Sequence, residues 1–313
     1  MTTVTLGRPA TAAKLLAALP SSLELSRPAL GLLADGCGAD GSGADGCGIT
    51  LPWSRPDTSG AHRLADALGG GRARPPDSGD PGRELIAAGA VRPDGRPEPA
   101  LAAALRAFST PDVVVDLDLS VRRPSAPRGF AQLHAWHRLT GDQVSTLTCA
   151  GGDQVELGWF GAAWWQPVLA RLVPEPPPGS DEPAPRPGLT LPLPLWLGSG
   201  EALRTGRADL LAQLLEQHRG HVLDAAEVPL DAAESDHQVR LVHGCVGARL
   251  RAVVSAPAAA RRLGMISWLR YADGWRALTP VVRQGGGPAV RLDPVTPLRL
   301  GAEIARLAAG VRR

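Results

Sequence analysis

Alternating hydrophobic and polar residues predict a run of β-strands in the first half of the chain. VVVDLDL (residues 113–119) alternates strictly and is rich in valine, which is typical of a strand with one buried face. GFAQLHAWHRL, QVSTLTCA and QVELGWF are predicted as three more strands, because glycine-containing turns at residues 140–142 and 151–153 separate them. Apolar residues then recur at helical spacing from 164 to 173, so we expect this meander to end in a helix.

The second half of the chain shows a similar succession of patterns. QVRLVHG, ARLRAVVSA, GMISWLRY, WRALTPVV and AVRLDPV are predicted strands, and residues 298–311 are a predicted closing helix. A helical pattern precedes each set of strands, at residues 99–108 and 201–218. The halves also share residues, which predicts an internal repeat. The matched residues are Trp136 and Trp268, Arg138 and Arg270, Leu147 and Leu278, Gly151-Gly152 and Gly285-Gly286, and Ala170-Arg171-Leu172 and Ala305-Arg306-Leu307.

These patterns predict an α+β fold with a pseudo-twofold repeat of antiparallel β-meanders and helices. Strands follow one another between helices instead of alternating with them, which argues against a parallel sheet. The patterns leave open whether the two sheets merge into one central sheet. PEPPPGSDEPAPRPG (174–188) is a proline-rich linker, so we expect an N-terminal segment at 1–82, a first α/β half-repeat at 83–173 and a second at 189–313, together one domain.

GCGADGSGADGCG (residues 36–48) matches the dinucleotide-binding pattern G-x-G-x-x-G twice but lacks its context. That motif needs a buried strand before the glycines and a helix after them. RPALGLLAD, which precedes them, is not β-branched, and two prolines in the following ITLPWSRPDTSG prevent a helix from starting there. We interpret residues 36–48 as a flexible surface insertion, with a metal or redox role of Cys37 and Cys47 as the weaker alternative.

No catalytic motif stands out in the sequence. The chain has no G-x-S-x-G nucleophile elbow and no P-loop, so a binding protein fits the sequence better than an enzyme. The alternative is an enzyme of unrecognised type that uses Asp116, Asp118 or His243 in a cleft between the halves. Three pairs of metal-ligand residues occur without a third ligand at suitable spacing: His134 and His137, His218 and His221, and, on one face of a predicted strand, His243 and Cys245.

Composition and charge narrow the class of partner. The formal net charge is +2, so no strong field attracts nucleic acid or an anionic membrane. No stretch is long and apolar enough for a transmembrane helix, and the N-terminus lacks the apolar core of a secretory signal. The 4 cysteines are too sparse for a disulfide framework. We therefore expect a cytoplasmic protein with no nucleic-acid partner and no membrane insertion.

Six segments occur in a recognisable order within residues 83–173 and 189–311: RELIAAGAVRPDGRPEPALAAALRAFSTPDVVVDLDL, RGFAQLHAWHRLTGDQVSTL, LGWFGAAWW, ARLRAVV, SWLRYADGWRALTP and VTPLRLGAEIARL. Together they resemble the EspG family, the ESX (type VII) secretion-associated proteins of actinobacteria. The resemblance implies a cytosolic, substrate-specific chaperone of pseudo-twofold α/β fold, without catalysis or cofactor, that binds helical secretion substrates of the PE/PPE type. A WXG-type helical pair is the alternative substrate. The insertion at 36–48 and the linker at 174–188 depart from the family pattern.

The resemblance supplies no residue-level binding motif, so we take candidate partner-binding residues from the hairpins. A sheet face flanked by Arg and Trp suits the covering of an exposed apolar helical tip. We expect the second sheet, its hairpin and the closing helix to form the recognition surface. The alternatives are that the hairpin residues only cap the sheet edge, or that the chain is a protein-binding module outside secretion. The candidates are Arg270, Tyr271, Asp273 and Trp275, with Arg138, Thr140 and Asp142 as first-half counterparts.

Overall fold

Ten strands form one antiparallel sheet in the described part of the chain. The computed structural model describes residues 20–38, 51–52, 80–123, 126–176, 182–257, 261–283 and 286–310. The strands are β1 (Ser21–Ser26), β2 (Val113–Arg123), β3 (Ala126–Thr140), β4 (Gln143–Cys149), β5 (Gln154–Gly161), β6 (Thr190–Pro192), β7 (Ala248–Ala256), β8 (Arg261–Tyr271), β9 (Gly274–Arg283) and β10 (Gly286–Val295). Their order across the sheet is β1-β5-β4-β3-β2-β7-β8-β9-β10-β6. The α+β prediction is confirmed, and the strands of both meanders belong to one sheet.

Eight α-helices accompany the strands within these described residues. Prolines such as Pro99 and Pro297 stand in the first turn of several helices, where the missing N–H has no helical partner to lose. The helices are α1 (Arg27–Gly38), α2 (Pro81–Ala87), α3 (Pro99–Ser109), α4 (Trp165–Leu172), α5 (Leu193–Thr205), α6 (Ala208–Gln217), α7 (Ala232–Gly244) and α8 (Pro297–Ala309). Among the described residues, one strand, three helices, four strands and one helix follow each other from β1 to α4, and the same succession runs from β6 to α8.

The segment QVRLVHG belongs to helix α7, so its prediction as a strand is wrong. The helix begins after Asp231, whose carboxylate accepts the backbone N–H of Glu234 at 2.8 Å. Its buried residues Ser235, Val239 and Val242 are spaced by four and three, which is helical spacing. The short alternation of Val239 and Leu241 resembled a strand because a seven-residue window is too short to separate the two periods.

The helical pattern predicted for residues 201–218 is divided between two helices. Helix α5 ends at Thr205, and Gly206 follows it with a φ of 70°, a left-handed conformation that glycine adopts without steric cost. The carbonyls of Ala202 and Leu203 accept the N–H of that glycine. Helix α6 then begins at Ala208 and packs back against α5. The glycine thus provides the turn that brings the two helices together.

The residue match between Trp136 and Trp268 is off by one ladder position. Counted from its hairpin turn, the pair Trp136–Leu147 is the fifth of β3 and β4, whereas Trp268–Ala277 is the fourth of β8 and β9. His137, which forms the fourth pair with Thr146, is therefore the positional equivalent of Trp268. A shift of one residue reverses the face to which a side chain points.

The same shift applies to Arg138 and Arg270, which form the third and second ladder pairs of their hairpins. Leu147 and Leu278 stand at equivalent distances from the two turns, so that match is retained. Trp136 packs against the core under α1 and α3, whereas the ring of Trp268 lies tilted against that of Trp275 at a centroid separation of 6.3 Å. The tryptophans therefore pack in different surroundings.

The chain divides into two compact units whose segments alternate in sequence. In the first unit, α1 and α3 bury residues such as Leu30 and Leu105 against Leu157 of β5. In the second unit, α5 and α7 bury Leu195 and Val239 with Leu269 of β8. The first unit comprises the described residues up to Asp116, Leu133–Trp165 and Ser255–Arg261, and the second comprises Leu117–Gln132, Gln166–Val254 and the described residues from Arg262 onward.

The closing helix α8 covers the sheet face that points away from α5 and α7. Leu269 of β8 belongs to the core under α5 and α7, whereas Gly264 of the same strand lies beneath Leu307 of α8. Residues 264 and 269 point to opposite faces because side chains alternate along a strand. A Cβ at Gly264 would lie 2.8 Å from Leu307, so the glycine permits this close approach.

The glycine-rich run starts at the end of a helix and not after a strand. RPALGLLADGCG forms α1, so the dinucleotide-binding pattern lacks the strand that must precede it. Residues 39–48, which include Cys47, lie outside the described residues, and so do residues 177–181 of the proline-rich linker. The interpretation of residues 36–48 as a flexible insertion stays a prediction.

Candidate functional site

An open groove of about 920 Å³ lies in the second unit. Helices α5 and α7 form one wall, and the face of the sheet that carries Leu269 and Leu278 forms the floor. The principal lining side chains are Asp118 and Ser120 of β2, Trp196, Leu197, Glu201 and Arg204 of α5, Arg240 and His243 of α7, Arg249 and Arg251 of β7, Ser267 of β8 and Leu278 of β9. The groove therefore combines exposed apolar side chains with an excess of arginines.

A buried serine and a histidine join the two helices of the groove wall. The hydroxyl of Ser199 donates to the carbonyl of Leu195 at 2.6 Å, and it lies 2.9 Å from Nε2 of His243. The rings of Trp196 and His243 have centroids 4.9 Å apart. Gly200 lets α5 approach α7, because a Cβ there would lie 3.1 Å from the imidazole. These contacts hold Trp196 at the rim of the groove.

The contact between Ser199 and His243 is structural in this geometry. Burial, with a smaller contribution from Arg249, lowers the pKa of His243 to about 4, so the ring is neutral at neutral pH. Because the single hydroxyl proton of Ser199 is directed at the Leu195 carbonyl, Nε2 of His243 acts as the donor in the pair. A nucleophile–base pair would require the opposite direction of donation.

The apolar part of the groove is centred on α5. The side chain of Leu197 is 63% exposed, and Trp196 beside it is half-buried against the core of the second unit. Leu278 reaches the groove from the floor. Tryptophan in a concave surface is a typical anchor for a protein partner, and the exposed leucine beside it adds apolar surface that a partner can cover.

The charged part of the groove is centred on β7. Arg249 and Arg251 alternate with buried residues along that strand, so both side chains lie on the groove face. The arginines of the helices are already paired: Arg204 with Glu201 at 2.5 Å, and Arg240 with Asp236 at 2.9 Å.

The predicted residues of the second hairpin mostly contact their own chain. Tyr271 is 1% exposed, and its hydroxyl donates to the carbonyl of Val242 at 2.9 Å. Trp275 is 2% exposed, and its Nε1 donates to the carbonyl of Pro174 at 2.9 Å. The guanidinium of Arg270 reaches the carbonyl of Glu175 at 3.4 Å. The hairpin thus anchors the first residues of the proline-rich linker.

Asp273 is exposed at the turn of this hairpin, but it also neutralises a buried charge. Its carboxylate lies 2.5 Å from the guanidinium of Arg276, whose side chain is 4% exposed. Removal of Asp273 would leave this arginine buried without a counter-charge, which is strongly destabilising. Partner binding through Asp273 stays a prediction, and a charge change there perturbs the fold as well.

The predicted residues of the first half lie in the first unit. Arg138 pairs with Asp116 at 2.8 Å and lies 5.0 Å from the ring centroid of Phe108. The hydroxyl of Thr140 donates to the carbonyl of Ala107 at 2.8 Å, which fastens the hairpin to α3. Asp142 is exposed at the turn between β3 and β4. Their role in partner binding stays a prediction.

Sequence reasoning missed four residues of the groove: Trp196, Leu197, Arg249 and Arg251. Arg249 and Arg251 stand at every second position of ARLRAVVSA, a pattern that indicates one polar face of a strand. The helix LPLWLGSG carries an uncommonly apolar surface with Leu197 exposed, but its sequence resembles a buried segment. Only the packed structure shows that one side of it stays open.

Among the described residues, no group of three or more His, Cys, Asp or Glu residues could hold a metal ion. The predicted pair of His243 and Cys245 does not share a strand face, because His243 is in α7 and Cys245 follows its last residue. Asp116 belongs to the first unit and Asp118 to the second. No described helix is long and apolar enough to cross a membrane.

Comparisons with known proteins show the fold. No family model matches the chain, and no curated protein matches it. Among solved structures, the chain is similar to the Mycobacterium tuberculosis type VII secretion system chaperone EspG5, which was solved in complex with a PE25–PPE41 dimer. The TM-score is 0.50 at 12% identity, and the similarity covers 93% of this chain and 95% of that chain. The chain therefore has an EspG-like fold.

Proposed function

We propose that the chain is a cytosolic, substrate-specific chaperone or adaptor of type VII secretion that binds a helical substrate pair of the PE/PPE-like or WXG-like kind. The observation that supports this proposal is the similarity to a chaperone of that system along 93% of the chain. The resemblance of the sequence to the EspG family supports the same function. Binding and release of a folded helical pair need neither a cofactor nor a catalytic group.

We place the recognition surface at the groove of the second unit. A helical tip with exposed aliphatic side chains associates nonspecifically unless another surface covers it. The groove offers Trp196, Leu197 and Leu278 for such side chains, beside polar groups that fix orientation. Helix α8 lies on the opposite face of the sheet, so the proposed surface includes β7, β8 and β9 but not the closing helix.

The direct test is complex formation with a purified helical pair of the PE/PPE-like or WXG-like kind from the same genome. The purified pair and the purified chain should elute together in size-exclusion chromatography, with a mass by light scattering that fits one copy of each component. Separate elution at concentrations of 10 µM or more, roughly the weak end of specific recognition, would contradict the proposed function. A stable complex with an unrelated protein and none with the pair would favour a binding module outside secretion.

Leu197→Asp tests the position of the surface. A charge at this exposed site should weaken binding of the pair by roughly tenfold or more, because it cannot be buried against an apolar tip. Ile86→Asp on α2 is the matched control, since Ile86 is 68% exposed and Leu197 is 63% exposed. Isothermal titration calorimetry measures both affinities, and the melting temperatures should stay close to that of the wild type. Equal affinities of the two variants would show that the groove is not the recognition surface.

A further inference from the structure

In the part of the chain that the structure describes, two arginines on the floor of the groove form no ion pair. Arg249 and Arg251 are exposed and stand two residues apart on β7, side by side on the groove face. Within the described residues, neither guanidinium makes a hydrogen bond or an ion pair. The other two arginines of the groove are paired with Glu201 and Asp236. The cationic groups left available for a ligand are therefore concentrated on one strand.

The lining as a whole is cationic but not uniformly so. It contains four arginines and the two carboxylates Asp118 and Glu201. A guanidinium presents a planar fork of N–H donors that matches a carboxylate in two parallel hydrogen bonds. Two adjacent guanidinium groups on a rigid strand can thus bind two carboxylates at defined positions. The apolar side chains of Trp196 and Leu197 line the same groove.

We propose that Arg249 and Arg251 recognise acidic side chains at the tip of a helical protein partner, next to the aliphatic side chains that contact Trp196 and Leu197. This proposal rests on the proposed function and adds the chemistry by which the groove selects its substrate. The whole chain has a net charge of only +2, so it lacks the strong positive field that binding to a phosphate backbone requires. A protein carboxylate fits these charges better than a nucleic acid.

The experiment compares Arg249→Gln/Arg251→Gln with the wild type in binding the same helical pair as in the direct test of the proposed function. The double variant should bind the pair about 10- to 100-fold more weakly, because two charge-assisted contacts are lost. Raising the salt concentration from 50 to 500 mM, roughly from weak to strong screening, should weaken wild-type binding more than that of the double variant. An equal affinity and an equal salt response of the two proteins would overturn the proposal.

Arg306→Gln provides the matched control. Arg306 is exposed near the end of α8, on the other side of the sheet, and the substitution is the same as at the test positions. Its affinity for the pair should equal that of the wild type. A similar loss in this variant would show that net charge, and not the groove, determines the affinity, and would also overturn the proposal.

A variant of the helical pair with reversed tip charges distinguishes a failure of this proposal from a failure of the proposed function. Substitution of the acidic tip residues of the pair by Lys should abolish binding to the wild-type chain, and Arg249→Glu/Arg251→Glu should restore it. Wild-type binding that is indifferent to the tip charges leaves the proposed function intact but overturns the role of Arg249 and Arg251. Absence of wild-type binding to the unmodified pair overturns both. Binding of a 20-nucleotide single-stranded DNA with loss in the double glutamine variant would assign the arginines to nucleic acid instead.

Discussion

A buried histidine of β3 makes the stability of this fold depend on pH. His137 of β3 is 1% exposed, and its Nδ1 accepts the N–H of Trp165 at 3.2 Å. Burial, and to a smaller extent Arg138, lowers the pKa of His137 to about 3. The folded state therefore holds the neutral ring, whereas the unfolded chain takes up a proton below its ordinary pKa of about 6.5.

The free energy of unfolding should therefore decrease as the pH falls. The stabilisation by the neutral ring is complete above pH 6.5 and is lost as the pH falls toward 3, with about 2 kcal/mol lost between pH 7 and pH 5. His137→Gln should show a smaller decrease over this interval, although it is less stable at pH 7. Urea unfolding at both pH values measures the two differences. An equal decrease in the free energy of unfolding of variant and wild type would contradict the lowered pKa of His137. The pKa of His243 is also lowered, but this histidine is present in both proteins and contributes equally to both decreases.

At the scale of elements, a glycine determines how closely α8 and α4 approach. A Cβ added at Gly301 would lie 2.7 Å from the Cα of Gln166, which is closer than nonbonded carbon atoms can stand. Neither helix can yield at this point without moving its backbone. The contact explains why a residue with low helix propensity stands in the middle of α8.

Gly301→Ala should therefore destabilise the protein by about 1 to 3 kcal/mol, since the strain exceeds the gain in helix propensity. Gly31→Ala on α1 is the control, because nothing lies within 4 Å of a Cβ at that position. It should be neutral or stabilise the protein by up to about 1 kcal/mol. Chemical denaturation of the two variants measures the difference, and a stabilising effect of Gly301→Ala would rule out this packing.

Most elements could be predicted from the sequence, and each failure has an identifiable physical cause. The strand at VVVDLDL and the turn at residues 140–142 are formed by local pattern and turn chemistry, so they agree with the structure. The segment QVRLVHG of helix α7 resembles a strand because it is short and contains neither the N-cap Asp231 nor the first turn of the helix. The ladder register of the tryptophans failed for a related reason, since the two hairpins differ by one residue between tryptophan and turn.

At the scale of the whole molecule, the sequence position of a segment does not decide the unit to which it belongs. Residues 117–132 belong to the second unit although they lie far before the linker. The guanidinium of Arg122 donates to the carbonyls of Gly244 and Val246 at 3.1 and 2.6 Å, and its backbone N–H donates to Gly247. These contacts fix the end of α7 and the start of β7.

The fragment 189–313 should therefore not fold by itself, because it lacks residues 117–132 and their contacts with residues 244–247. We expect little dispersion of amide signals in its NMR spectrum and no cooperative thermal transition. Co-expression with the fragment 1–176 should restore a folded complex. A cooperative melt of the isolated fragment would show instead that the second half-repeat is an independent folding unit.

The sequence and the tertiary structure determine different features of this protein. The sequence by itself determined most strands, the hairpin turns, helices α3 and α8 and the absence of recognisable catalytic motifs, because periodicity, turn residues and motif spacing are local properties of the chain. Only the tertiary structure decided that one sheet contains both meanders and that Trp196, Leu197, Arg249 and Arg251 meet in one groove. These outcomes depend on which strands become neighbours and which face a helix leaves uncovered, and contacts between residues far apart in the chain determine both.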